Sequence, residues 1–457
     1  MRMEEYIEKL ISQIRCKKAR PYIANEIRNH IEDQITENKI NGMSEEEAEK
    51  NAVTDMGDPV EVGISMDKIH KPKMAWSVVV IVGIISILAV IIQWSIIQTS
   101  KNCDFELNPN ALYTLSLSKF IGSIVAGIFV MSMIYFIDYT VIAKFSQIIG
   151  FVMITMAMWA LFYGAPINGA QYYVFRSLGF STASFMMLFV PIYGAILYKY
   201  RGGGIGAVLK CIIWLLIPTV IVFRIPNLVG ACIVMISMLV QLSMAIAKGW
   251  FKVNIKVVLV GLWSVFLLLP MVCLFGMYSL HMLAAYQEAR IKALLSFNQK
   301  GGYISSVISD YVKNIALWGK SQKDIYGNLP DLNRDYVYAY ILNNYGMIAG
   351  IIVVVILAAL IIFIFGTVMK QKNELGFSMG TGCGMILLMS SVINIFGAIG
   401  ILPPSSSFLP FFSAGGSNMI LSYALIGIVI SIYRYKDVYP KDVTDKLTIK
   451  RKLDINL

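Results

Sequence analysis

The sequence predicts an all-α fold, a polytopic membrane protein of about ten transmembrane helices preceded by a small N-terminal helical bundle. Three observations carry this. Of 457 residues, 57% are hydrophobic and only 15% are charged, whereas soluble domains run near 45–50% apolar and about 25% charged. From Trp76 onward the apolar residues fall into runs of roughly 20, the helix length that crosses a ~30 Å hydrocarbon core. The first 72 residues, by contrast, are polar and punctuated like a helical domain.

Within residues 1–72, Tyr6, Ile7, Leu10, Ile11 and Ile14 follow helical spacing. Pro21 opens a second helix running to about Ile40, with Tyr22, Ile23, Ile27, Ile31 and Ile35 on one face. Asn41-Gly42 stops it. Ser44-Glu45-Glu46-Glu47 reads as a capping box for a third helix, and Gly57-Asp58-Pro59 ends that helix and starts a fourth. The bundle is acidic on balance and joins the membrane part through Lys71-Pro72-Lys73. Its segment Met56-Gly57-Asp58-Pro59-Val60-Glu61-Val62-Gly63, with His70-Lys71-Pro72, resembles the prefix domain of some bacterial permeases.

Ten spans are expected, near 76–97, 119–141, 147–165, 180–198, 206–223, 227–247, 255–279, 337–368, 377–399 and 417–434. Residues 437–457 then form a basic tail. With this count Lys199, Arg201, Lys210, Lys248, Lys252, Lys256, Lys370, Lys372, Arg434 and Lys436 share a side with the N-terminus, which predicts cytoplasmic termini. The net charge of +11 is dispersed through these short loops, so it argues for membrane orientation and against nucleic-acid binding. With a polar start, the first span is expected to serve as the insertion signal. Of the six cysteines, Cys211, Cys232, Cys273 and Cys383 lie in apolar runs and only Cys103 is expected outside, so no structural disulfide is expected.

The signatures of soluble enzymes are missing: there is no GxxxxGK[ST], no HExxH and no Cys/His cluster with metal spacing. His30, His70 and His281 are isolated. One connection, roughly 280–336, is long enough to be functional, and holds two amphipathic stretches, Ala284–Phe297 and Tyr303–Trp318, suited to a membrane interface. It ends in Leu329-Pro330-Asp331-Leu332-Asn333-Arg334-Asp335-Tyr336. By position alone Asp335 has two readings: a helix N-cap, which the helix dipole favours, or a catalytic or ligand carboxylate. A second loop, from Gly400 to Ser417, is broken by prolines and glycines. Such backbone lies at membrane depth only when buried in protein or lining a wet cavity, so a re-entrant loop is expected there. It carries no titratable side chain.

These two segments also resemble a known family. Leu329-Pro330-Asp331-x-x-x-Asp335-Tyr336-Val337-Tyr338-Ala339, followed by Tyr345-Gly346-Met347-Ile348-Ala349-Gly350, is similar to a segment of the FtsW/RodA/SpoVE (SEDS) proteins. Gly400 to Pro403, Leu409-Pro410, Ser413 and Gly415-Gly416-Ser417 match a second motif, with Asn394 ahead of it. Tyr286-Gln287 with Arg290 resembles the family's Tyr-Gln-x-x-Arg, and Gly169-Ala170-Gln171 matches another motif more weakly. The resemblance covers residues 76–436. It implies a peptidoglycan glycosyltransferase that polymerises lipid II at the outer face of the bacterial cytoplasmic membrane, in cell shape, division or sporulation. It also implies Asp335 as the essential carboxylate and polyprenyl pyrophosphate as the leaving group. Arg334 and Lys320 become candidate pyrophosphate ligands; Tyr286, Gln287, Arg290, Ser413, Gly415, Gly416 and Ser417 become candidate substrate contacts. A divalent cation (Mg or Mn) on Asp335 and a class B penicillin-binding transpeptidase partner are further implications.

The chain departs from the family pattern where Ser181-Thr182-Ala183-Ser184 and Met187 replace an intramembrane Glu and Lys. Asn227 stands for an Asp, Tyr173 for a Trp, Asn343-Asn344 for a Glu pair, and Asn333-Arg334 for His-Thr. Ionisable groups inside a membrane are costly and normally mark function. Their absence keeps two alternatives open: an inactive scaffold or regulator of envelope synthesis, and a lipid-precursor transporter.

Overall fold

The computed structural model describes all residues except 103–115, 168–169, 176–177, 226, 280–302, 324, 327, 330 and 440–457. Chain contacts divide into two units. One comprises Met1–Ala75, Thr367–Phe377 and Ile432 onward; the other comprises Trp76–Gly366 and Ser378–Ser431.

In the first unit, α1 (Met3–Ser12), α2 (Arg20–Ile40), α3 (Glu45–Asp55) and α4 (Pro59–Ile69) follow the expected punctuation. The capping box forms as read, with Ser44 accepting from the Glu47 amide and Glu47 accepting from the Ser44 amide. Asp58 caps α4, with Pro59 in its first turn. Tyr6, Ile7, Leu10, Ile14, Ile23, Ile27, Ile31, Ala48, Ala52 and Val53 make the core. The chain segments following two membrane helices join this unit. Lys73 pairs with Asp437 at 2.8 Å, its amide donates to the Arg434 carbonyl, and Tyr22 meets Tyr439 edge-on.

In the second unit the expected spans appear as α5 (Trp76–Asn102), α6 (Leu117–Phe136), a short α7 (Tyr139–Lys144), and α8 (Ser146–Tyr163). After them come α9 (Thr182–Met187) with α10 (Phe189–Lys199), then α11 (Ile205–Arg224), α12 (Leu228–Ala247) and α13 (Ile255–Ser279). The amphipathic α14 (Tyr303–Val312) and a short α15 (Val337–Tyr345) precede α16 (Met347–Met369), α17 (Glu374–Ala398) and α18 (Gly416–Arg434). Among the described residues nine stretches are long and apolar enough to cross a membrane, α9 and α10 counting as one. The helix α13 adds a 25-residue apolar segment whose one charge is Lys256.

The helix α10 is buried from Phe189 to Tyr198 on every side, as expected of a helix at the centre of a bundle. There Gly194 lets α12 and α17 approach: a Cβ on it would come within 2.9 Å of Gln241 Nε2 and of the Ser378–Met379 backbone. The Gln241 amide donates to the Ser378 carbonyl at 2.8 Å.

Three local expectations are corrected. The eighth span is not one helix from 337 to 368: it breaks at Gly346, whose φ is +87°, leaving α15 as a separate helix. The second span stops at Phe136 rather than 141, because Ile137 is extended and Asp138 caps α7, accepting from Thr140. The second amphipathic stretch is helical only as far as Val312. One addition was not foreseen, an antiparallel sheet of β1 (Ala165–Ile167), β2 (Ala170–Phe175) and β3 (Leu178–Ser181), paired in that order. The rest of the described residues keep to the all-α class.

Candidate active site

Asp331 has φ +48°, and its carbonyl gathers the amides of Arg334, Asp335 and Tyr336 into one tight turn. The carbonyls of residues 333 to 335 are each tethered elsewhere. Asn333 accepts from the Ala414 amide at 2.8 Å and from Gln93 Nε2 at 2.8 Å. Arg334 accepts from the Ser413 hydroxyl at 2.6 Å. Asp335 accepts from Asn394 Nδ2 at 2.8 Å, and that same nitrogen donates to the Ser407 carbonyl at 2.7 Å. The 331–336 turn and the 400–417 loop are thus fastened together. Three consecutive carbonyls fixed in this way leave the turn little freedom, the condition for holding a reactive side chain in place.

The N-cap reading of Asp335 does not hold. The N-cap of α15 is Tyr336, and no side chain bonds there. The half-buried Asp335 carboxyl instead receives a hydrogen bond from Ser406. Burial pushes it up to about 7, and the neighbouring Asp331 carboxylate adds to the rise, while Ser406 and the Arg334 guanidinium pull the other way. A carboxyl poised near neutrality suits proton transfer at working pH. Tyr172, on β2, is raised first by burial, and it feels the charges of Arg334, Asp335 and Asp331. The sheet therefore brings a phenol beside this acidic turn.

The remaining candidates separate. Arg334 stays at the site; its Nε is buried without a hydrogen-bond partner, a donor available to an anion. Lys320 is exposed, with its ammonium 5.9 Å from the Tyr326 ring centroid. The Ser413 hydroxyl is engaged inside the fold: it donates to Arg334 and accepts from the Leu409 amide at 2.8 Å. The Ser417 hydroxyl accepts from the Ser181 amide at 2.8 Å. The Gly415 amide donates to the Ser413 carbonyl, and Gly416 opens α18. All four take part in the loop's own hydrogen bonding or in the start of α18. Tyr286, Gln287 and Arg290 lie outside the described residues.

Sequence reasoning missed Gln93 and Tyr172. Gln93 is 1% exposed and spans the two loops, donating to Asn333 and to the Phe412 carbonyl at 2.8 Å. Its signal was present: a polar amide inside an otherwise apolar membrane helix, where such groups cost energy unless used.

The sequence profile of the FtsW/RodA/SpoVE proteins, described as cell cycle protein, matches residues 73–438. The chain belongs to this family. It is 26% identical over 349 residues to the peptidoglycan glycosyltransferase MrdB of Escherichia coli K12, covering 72% of this chain and 88% of that one. Identity is also 26% over 306 residues to the probable peptidoglycan glycosyltransferase FtsW of Wigglesworthia glossinidia brevipalpis, 63% of this chain and 75% of the relative. With the probable peptidoglycan glycosyltransferase FtsW of Enterococcus hirae it is 30% over 131 residues, which span 33% of that relative.

Solved structures share the fold. A chain of a peptidoglycan synthase complex superposes with TM-score 0.62 at 20% identity, over 80% of this chain and 98% of that one. The rod shape determining protein RodA of Thermus thermophilus gives TM-score 0.54 at 18% identity, over 79% and 97%. As an FtsW/RodA/SpoVE protein with this set of apolar helices, the chain is a multi-pass membrane protein of bacterial type.

Proposed function

We propose that this chain is a peptidoglycan glycosyltransferase that polymerises lipid II, with Asp335 as its essential carboxylate. One observation carries the proposal: in a family whose relatives bear that activity in their names, Asp335 is held half-buried on a triply tethered turn with its affinity for a proton raised to about 7. The acceptor's sugar hydroxyl attacks the donor's anomeric carbon. A new glycosidic C–O bond forms, the bond to pyrophosphate breaks, and polyprenyl pyrophosphate leaves with the electron pair. Asp335 takes the proton of the attacking hydroxyl. The buried Arg334 Nε, next to the turn, supplies a donor for pyrophosphate oxygens.

Holding a divalent cation is the alternative role for Asp335. Asp331 lies near enough for its charge to raise Asp335, and Mg²⁺ is commonly held by one or two carboxylates with phosphate oxygens and waters. Bound there, the ion would neutralise charge developing on the pyrophosphate. The termini are taken as cytoplasmic from the lysine and arginine distribution, which puts the site at the outer face. A class B penicillin-binding transpeptidase is the partner that the family resemblance suggests, and the matched synthase complex supports that reading.

A second reading, an inactive scaffold, draws on the segment where the family pattern carries Glu and Lys. Here neutral bonds fill it: Ser181 to Ser417, and the Ser184 hydroxyl to Asn418 at 2.6 Å. Lipid II polymerisation by the purified full chain, beside Asp335→Ala, separates the two. The enzyme reading expects glycan strands from the wild type and none from the variant. Equal synthesis by both, or synthesis by neither, would overturn it.

A further inference from the structure

Four separate parts of the chain contribute basic residues to the first unit, a set termed the basic strip. Lys17 and Lys18 lie between α1 and α2, Lys68 is in the last turn of α4 and Lys71 just beyond it, and Lys370 and Lys372 follow α16; all six are exposed. Arg434 closes the last turn of α18 in the same unit. The level of this strip relative to the bilayer is fixed by chain continuity. Lys370 directly follows the last residue of an apolar helix, and Arg434 is the last residue of another. Lys18 Nζ sits 4.5 Å from the ring centroid of Tyr435, the next residue, and donates to its hydroxyl at 3.2 Å. Lys71 is five residues ahead of Trp76, which opens α5 and is 65% exposed, a favoured residue at the membrane–water interface.

Between them Ile69 presents an exposed apolar side chain, 53% accessible. Three carboxylates share the strip. Asp67 is paired with Arg15 at 3.6 Å and Asp437 with Lys73 at 2.8 Å, while Glu374 opens α17. The rest of the bundle has the opposite character. Glu26, Asp33 and Glu37 line one side of α2, and Glu45, Glu46 and Glu47 open α3. Cations from four segments, three of which adjoin the apolar helices α5, α16 and α18, call for an anionic counterpart at headgroup level.

We propose that this strip binds the anionic phospholipid headgroups of the leaflet that α5 enters at Trp76, so that the N-terminal bundle lies docked on the membrane surface. Juxtamembrane lysines gain attraction from an anionic leaflet one by one, so the docking is graded by lipid charge and screened by salt. The bundle is then positioned by lipid composition, independently of the chemistry at Asp335.

The test uses the full chain in nanodiscs of phosphatidylcholine alone and of phosphatidylcholine with phosphatidylglycerol, followed by amide hydrogen exchange. Exchange over residues 14–20 and 64–72 is expected to slow about tenfold or more with phosphatidylglycerol. The effect is expected to vanish in Lys17→Gln/Lys18→Gln/Lys71→Gln and in wild type at high salt, with α3 equally protected throughout. Should the triple variant lose α3 protection through misfolding, the salt arm alone decides. Equal exchange in both lipids overturns the proposal. So does a phosphatidylglycerol effect that survives high salt, or protection conferred only by an added polyanion such as RNA.

Discussion

Asp335 is where local structure becomes chemistry. A carboxyl raised to about 7 by burial and by Asp331 binds a proton in the folded chain over a range where the unfolded chain, at about 3.9, has already released it. Between these values the native state holds more protons, so stability falls as pH rises from about 4 to about 7 and then levels off. Asp335→Asn removes that penalty. It is expected to melt a few degrees higher than wild type at alkaline pH and no higher at pH 4, while losing polymerase activity; thermal unfolding in detergent at the two pH values checks this. Gln93 acts on the same turn through hydrogen bonds. Gln93→Leu leaves the Phe412 carbonyl without this donor and the Asn333 carbonyl with the Ala414 amide alone, a cost of about 1–3 kcal/mol, and is expected to lower turnover about tenfold through misplacement of Asp335. A KM close to that of wild type is the mark of this positioning effect.

Among elements, the break between α15 and α16 separates the short helix that follows the Asp335 turn from the membrane helix beyond it. The Gly346 φ of +87° disfavours other residues, and a Cβ there would lie 2.9 Å from the carbonyl oxygens of Ala316 and Leu317 and from Trp318 Cα. The surrounding backbone is fully engaged: the Met347 and Ile348 amides donate to those two carbonyls, and the Gly319 amide donates to Tyr345. Gly346→Ala is expected to cost on the order of 2–4 kcal/mol, read as a lowered Tm. Gly366→Ala, with open space at its Cβ, serves as the control and is expected to change little.

This element was not legible in the sequence. A single glycine inside an apolar run is tolerated in a helix, so Tyr345-Gly346-Met347 passed as continuous, and only the contacts from 316–319 explain the break. The sheet at 165–181 was not foreseen for a different reason: Tyr172, Tyr173, Val174 and Phe175 favour a strand, but in the connection between two spans the short partner strands carry no signal of their own. The spans themselves were legible because bilayer thickness imposes their length. The α3 capping box was legible because it is a local exchange of hydrogen bonds. Asp335 was half legible. Its spacing fits a cap and a catalytic group equally, and only the tertiary contact with Ser406 separates them.

At the scale of the whole molecule, every group assigned to the site (Gln93, Tyr172, Asp331, Arg334, Asp335, Asn394, Ser406) belongs to the second unit. Sites that share no partners act nearly independently. A chain lacking residues 1–72 is therefore expected to polymerise lipid II within about twofold of the full chain once reconstituted. Glycan synthesis by the two forms in matched proteoliposomes checks this. A loss far beyond that would tie catalysis to the bundle and contradict this independence.

The most direct measurement is the pH dependence of lipid II polymerisation by the wild-type chain. If the Asp335 carboxylate takes the proton of the attacking hydroxyl, its ionised form is the active one. The rate should then rise with pH as one group ionises near 7 and reach a plateau above it. A rate that is flat through neutrality, or that falls as pH rises, would contradict that role.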